Sequence, residues 1–149
     1  MAANISFFAV PVYWLLCMLP HNYAIALVLK HSNGRYDNTS PRSSAYDASI
    51  RKSVPAPIYA KYERSEGASK NGFENFPIFV GAILAGNVAH LEPRTLNTFV
   101  AAYLGSRVLY TLSYILIESH KPSALRSAIW GFGALYCLWI YISAGMVLM

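Results

Sequence analysis

The sequence has little charge and few cysteines, and each shortage excludes a common class of protein. Only 13% of its 149 residues are charged, whereas 55% are hydrophobic and lie in long runs. A soluble domain interrupts such runs with polar residues. The two cysteines, Cys17 and Cys137, lie far apart within apolar segments, so we expect neither a disulfide framework nor a zinc site. The histidines are too scattered to predict a metal site of another kind.

Four apolar segments approach the roughly 20 residues that a membrane-spanning helix needs. They cover residues 5–29, 73–89, 96–117 and 128–148. The sequence therefore predicts an all-α integral membrane protein, a four-helix bundle that forms one domain over residues 1–149. We expect helices at about residues 5–30, 58–90, 94–118 and 122–148, with a long polar loop over residues 31–57.

The basic residues predict the orientation in the membrane. The net charge is +5, and most lysines and arginines lie in the first connection or at the start of the second predicted helix. Two more, Lys121 and Arg126, lie in or beside the third connection, and only Arg94 lies in the second. Because basic loops stay in the cytosol, we expect a cytosolic long loop and lumenal termini. This distribution argues against a nucleic-acid partner.

The second predicted helix begins with an unusually polar segment. Its apolar part has too few residues to span a membrane comfortably, so the polar part should continue the helix into the membrane interface. There, polar side chains must be buried against protein or must line a water-filled cavity. Helical spacing brings a cation, two amides and a carboxylate close together. These residues are Arg64, Asn71, Glu74 and Asn75.

The third predicted helix carries Arg107 within an otherwise apolar run. A lone charge at this depth costs at least ~2.5 kcal/mol on insertion scales, and we expect Glu74 to be its partner. The two residues are then a structural ion pair, a ligand contact, or both. Tyr110 and Tyr114 follow on the same helical face, although such tyrosines are also common as packing or interface residues. Arg126 is equally suited to anchor the fourth helix at the membrane surface.

Taken together, these side chains suit an anionic tripeptide with a thiol, such as glutathione. Arginines bind carboxylates through paired hydrogen bonds, an acid binds the ammonium group, and amides bind the peptide bonds. A guanidinium near the sulfur favours the thiolate, which is the nucleophilic form. The sequence therefore offers a candidate glutathione site within the membrane.

Three motifs resemble one known family, the membrane-associated proteins in eicosanoid and glutathione metabolism (MAPEG). The resemblance covers nearly the whole chain in order and spacing. It implies a homotrimer with glutathione sites between neighbouring subunits, in the cytosolic half of the membrane. The motifs are Glu63-Arg64 followed by Ala68, Asn71, Glu74 and Phe76-Pro77; Arg107 followed by Tyr110 and Tyr114; and Arg126-Ser127.

The resemblance also implies roles for individual residues. Arg126 would face the thiol, with Tyr110 and Ser127 as further candidates for catalysis, and Arg64 would order the start of the second helix. Many members that use glutathione have an arginine where this chain has Gly67, and several of them have a shorter connection before the residue that matches Arg126. The residues implied to bind glutathione are Arg64, Asn71, Glu74, Asn75, Arg107, Tyr110 and Tyr114.

The resemblance implies a microsomal glutathione transferase-like enzyme of the endoplasmic reticulum. It would conjugate glutathione thiolate to lipophilic electrophiles that reach it through membrane lipid, and it could also reduce lipid hydroperoxides. Two alternatives remain open. One is a glutathione-assisted isomerase of a hydrophobic metabolite, and the other is a non-catalytic lipid-binding membrane protein.

Overall fold

The computed structural model describes residues 3–34, 36–118 and 123–149, apart from the side chain of Ser123. This part of the chain is all-helical. Most of the predicted third connection, and the predicted start of the fourth helix at Pro122, lie outside the described residues. After a short 3₁₀ helix at Ser6–Phe8, the α-helices are α1 (Ala9–His31), α2 (Ser44–Ser53), α3 (Ala56–Val88), α4 (Pro93–Leu116) and α5 (Ser123–Leu148).

Among the described residues, three helical segments are long and apolar enough to cross a membrane. They are Ser6–His31, Pro93–Leu116 and Ala124–Leu148, and the protein is an integral membrane protein. The more polar α3 is continuous over 33 residues, a length of about 50 Å. That length exceeds the thickness of a bilayer core, so α3 is long enough to cross the membrane. We continue to predict that it does.

The short helix α2 corrects the prediction of a loop throughout residues 31–57. The Ser43 side chain caps α2 by accepting a hydrogen bond from the Tyr46 backbone N–H at 3.1 Å. Ile50 and Val54 are buried beside Tyr59 of α3, so α2 covers the first turns of α3. The sequence did not predict α2, because polar and turn-forming residues flank it and only one of its faces is buried.

Close packing between α1 and α3 organises the membrane part of the fold. Tyr13 of α1 lies edge-on to Phe79 of α3 and to Tyr103 of α4, with ring centroids 5.1 and 5.2 Å away. The rings of Phe79 and Tyr103 stack at 4.2 Å. Cys137 of α5 completes this core and is buried as a free thiol.

Pro20 lies within α1 and cannot donate a backbone hydrogen bond. The Ser69 hydroxyl of α3 donates to the carbonyl oxygen of Cys17 at 2.8 Å, one turn before the proline. Membrane helices tolerate an internal proline when neighbouring side chains bind backbone groups in this way. The contact therefore also fixes the register of α1 on α3.

Candidate functional site

A cavity of about 290 Å³ opens between α3, α4 and α5. The structure brings five of the predicted site residues together there, and it adds Trp130. Trp130 follows Arg126 by four residues and shares its helical face, so the spacing already contained a signal for it. The lining residues are Asn71, Tyr110, Tyr114, Arg126, Ser127 and Trp130.

The cavity lies at one edge of the membrane-spanning region. Arg126 is 22 residues from Leu148, the last residue of α5, a rise of about 33 Å. Tyr114 is 21 residues from Pro93 at the start of α4, a rise of about 31 Å. Both rises match a bilayer core of about 30 Å, so these groups can meet water while the rest of each helix stays in lipid.

Aromatic and cationic groups on α4 and α5 form the wall of the cavity. The rings of Tyr110 and Tyr114 lie 5.7 Å apart. The Arg126 guanidinium lies over the face of Tyr114, 4.7 Å from its centroid. A cation held over an aromatic face is attracted by the ring quadrupole. This contact holds the Arg126 charge beside the cavity.

Arg107 lies behind this wall. The prediction that Glu74 is its ion-pair partner is wrong. Glu74 is exposed, and within the described residues no ion pair joins it to Arg107. Glu74 lies about 100° from Asn75 around α3, and it is Asn75 that is buried. Arg107 is only 4% exposed and donates from Nη1 to the Asn71 side-chain oxygen at 3.4 Å.

The guanidinium of Arg107 makes two further contacts with aromatic rings. It lies 5.0 Å from the centroid of Tyr103 and 5.6 Å from that of Tyr110. Its Nε and Nη2 atoms are buried and have no hydrogen-bond partner among the residues that the structure describes. The positive charge of Arg107 therefore lies outside the cavity, and Asn71, which lines the cavity, is its hydrogen-bond partner.

Asn75, predicted to bind ligand, instead joins helices. Its side-chain nitrogen donates to the Asn71 backbone oxygen at 2.8 Å. Its side-chain oxygen accepts from Nε1 of Trp130 at 3.0 Å. Asn75 is 8% exposed and does not line the cavity, so it positions Asn71 and Trp130, which do.

Arg64 lies outside the cavity and binds the end of α4. Its Nε donates to the Ile115 carbonyl oxygen at 3.1 Å, and its Nη2 donates to a Glu118 carboxylate oxygen at 2.7 Å. A cation is favourable there because the last carbonyls of a helix are unpaired and carry partial negative charge. Arg64 thus ties α3 to α4 at the cytosolic edge that we predict.

The arrangement supports anion binding and thiolate chemistry. A ligand in the cavity meets one guanidinium at Arg126, two phenols, a hydroxyl at Ser127 and the amide of Asn71. Guanidinium and phenol groups donate hydrogen bonds, so they stabilise a carboxylate or a thiolate. Among the described residues no carboxylate lines this cavity, so these residues of one chain offer little for an ammonium group.

Comparison with known proteins agrees with this geometry. A family model described as MAPEG family matches residues 7–146. No curated protein and no solved structure matches the chain. The match covers all of α1 to α4 and nearly all of α5, and therefore every residue that lines the cavity. The chain belongs to the MAPEG family of membrane proteins.

Proposed function

We propose that the protein is a glutathione-dependent transferase that conjugates the glutathione thiolate to lipophilic electrophiles. The observation that carries this proposal is the Arg126 guanidinium, held over Tyr114 beside a cavity at the membrane edge. The family includes glutathione transferases and related enzymes that use glutathione. Reduction of lipid hydroperoxides, with glutathione as reductant, would use the same thiolate.

In this proposal, different residues in and behind the cavity bind different parts of glutathione. Arg126 faces the sulfur and favours its ionised form. Asn71 binds a peptide bond, and the Arg107 charge behind it attracts a carboxylate. Tyr110 and Ser127 are placed to donate hydrogen bonds to the thiolate. The second substrate is a lipophilic small molecule that enters from membrane lipid, where apolar electrophiles concentrate.

The exposed carboxylate of Glu74 supports a homotrimer. Glu74 is 14 residues from Val88 at the end of α3, a rise of about 21 Å. In the proposed crossing of the membrane by α3, Glu74 therefore lies within the hydrocarbon layer. A carboxylate facing lipid at this depth is costly, and a neighbouring subunit would cover it. In that assembly Glu74 completes a site between subunits and binds the ammonium group of glutathione.

The proposed setting is the endoplasmic reticulum membrane. Basic residues place the long connection in the cytosol and the termini in the lumen. α2 and the entrance of the cavity are then on the cytosolic side. Glutathione enters from that side, and the electrophile enters laterally.

Calorimetry with glutathione on the detergent-solubilised protein tests the proposal first, and the variant Arg126→Ala then separates binding from catalysis. We expect affinity within a few-fold of the parent, because Arg126 faces only the thiol. Turnover of a chlorodinitrobenzene-type electrophile should fall about ten- to a thousand-fold, as for the loss of one electrostatic stabiliser. Part of the activity should return at higher pH, where a thiol with a pKa near 8.5 ionises unaided.

The matched control is Arg94→Ala, which removes an exposed arginine from the opposite end of α4. It should change neither thiolate absorbance nor turnover. Absence of glutathione binding by the parent would contradict both the transferase and the isomerase and would favour a lipid-binding protein. Equal thiolate absorbance and turnover for parent and Arg126→Ala would make Arg126 a surface anchor and would move thiol activation to Tyr110, Tyr114 or Ser127.

A further inference from the structure

Gly67 of α3 lies against the ring of Tyr114. A Cβ atom at Gly67 would lie 2.9 Å from the Tyr114 hydroxyl oxygen, 3.1 Å from Cε1 and 3.2 Å from Cζ. Carbon atoms in van der Waals contact lie at about 3.5–4.0 Å. Only glycine therefore lets the tyrosine approach α3 this closely.

The same ring carries Arg126. The guanidinium lies over the ring face at 4.7 Å, while the hydroxyl end of the ring reaches Gly67. Gly67, on α3, is 21 residues from Val88, a rise of about 31 Å. That depth equals the depth of Tyr114 on α4, so the contact joins α3, α4 and α5 at one level.

We propose that Gly67 is a positioning residue, which sets the place of the Arg126 charge by admitting Tyr114 against α3. The proposal rests on the proposed function and adds the residue that orients its thiol-activating group. Any side chain at position 67 pushes the tyrosine hydroxyl away from α3. The ring then tilts, and the guanidinium stacked on it moves away from the sulfur.

Gly67 thus contributes to the site although it has no side chain to bind a ligand. In this chain the cation beside the cavity lies on α5, where the ring of Tyr114 supports it. An arginine at position 67 would displace the tyrosine. Gly67→Arg should therefore lower turnover instead of raising it.

The experiment compares Gly67→Ala with Gly105→Ala in the full-length, detergent-solubilised protein. A Cβ atom at Gly105 meets none of the described residues within 4 Å, so this control changes a helical glycine without a collision. We expect Gly67→Ala to lower kcat about two- to thirty-fold, the loss of one cation–π contact, with KM for glutathione within about two-fold. The acid side of its kcat–pH profile should move to higher pH, and its glutathione thiolate absorbance should fall.

The second variant is Tyr114→Phe, which keeps the ring and removes the atom nearest to position 67. Added to Tyr114→Phe, the Gly67→Ala change should lower kcat less than it does in the parent, because the closest contact is gone while two ring carbons still lie 3.1 and 3.2 Å from the new Cβ atom. Without glutathione, the effects of the two substitutions on thermal stability should also be non-additive. That measurement reports the contact between residues 67 and 114 independently of function.

The outcomes separate this inference from the proposed function. If the parent does not bind glutathione, the proposed function fails, and the inference that rests on it fails as well, even if unfolding shows the coupling. If the parent binds and reacts, but Gly67→Ala matches Gly105→Ala in kcat, pH profile and thiolate absorbance, only this inference is overturned. A loss of activity that persists unchanged beside Tyr114→Phe also overturns it.

Discussion

Replacing Arg107 by methionine tests whether its buried charge has a partner. Arg107 is 4% exposed, and within the described part of the chain its Nε and Nη2 atoms have no hydrogen-bond partner. An unpaired buried polar group costs about 1–3 kcal/mol, so these two atoms together cost about 2–6 kcal/mol. The two cation–π contacts of Arg107 stabilise the protein by about 0.5–2 kcal/mol each. At the midpoints of these ranges, a cost of about 4 kcal/mol and a gain of about 2.5 kcal/mol differ by about 1.5 kcal/mol. We therefore expect Arg107→Met to change the free energy of unfolding by about 2 kcal/mol or less.

An ion pair with Glu74 would behave differently. Removing one member of a buried pair costs about 3–5 kcal/mol. The assay is therefore a double-mutant cycle of Arg107→Met with Glu74→Gln, followed by thermal unfolding in detergent. We expect a coupling energy below about 0.5 kcal/mol, as for residues without a shared partner. Coupling above about 2 kcal/mol, within a chain or between subunits, would refute our account of Arg107.

Three further predictions follow from the helix contacts and the topology. Asn75→Ala should destabilise the protein by about 1–3 kcal/mol. Trp130→Phe should cost less, since it breaks only one of the three hydrogen bonds made by the Asn75 side chain, and thermal unfolding of both variants measures the difference. In Gly81→Ala the new Cβ would collide with the Tyr141 hydroxyl, so we expect the free energy of unfolding to fall by about 1–3 kcal/mol. Tyr141→Phe should restore part of this stability in thermal unfolding, and no restoration would contradict the collision. Asn38, in an acceptor pattern for N-glycosylation, should remain unmodified in a eukaryotic host, and a glycan detected by mass spectrometry would reverse the proposed orientation.

Much of the candidate site could be predicted because helical spacing holds within one helix. Tyr110 and Tyr114 are four residues apart, so they share a face however α4 is packed. Arg126 and Ser127 begin the membrane-facing part of α5, and Asn71 lies on the same stripe of α3 as Asn75. The family resemblance joined these stripes into one site, and the structure places five of the nine predicted site residues around one cavity.

Other features depend on contacts between distant parts of the chain. The sequence does not show that α2 forms, because its stability comes from burying Ile50 and Val54 against α3. Nor does it show that Arg64 binds the carbonyl of Ile115, which lies 51 residues away. Burial against a partner, more than local propensity, stabilises such short or polar segments.

The sequence by itself determined an all-helical membrane protein, because long apolar runs leave few alternatives when every backbone group must be paired within the bilayer. It also determined which polar residues lie on common helical faces. Only the tertiary structure decided how those faces turn toward one another: Asn75 inward and Glu74 outward on α3, and Tyr114 against Gly67. Helical periodicity sets angles within a helix, whereas the rotation of one helix against another is set by the packing of all their side chains.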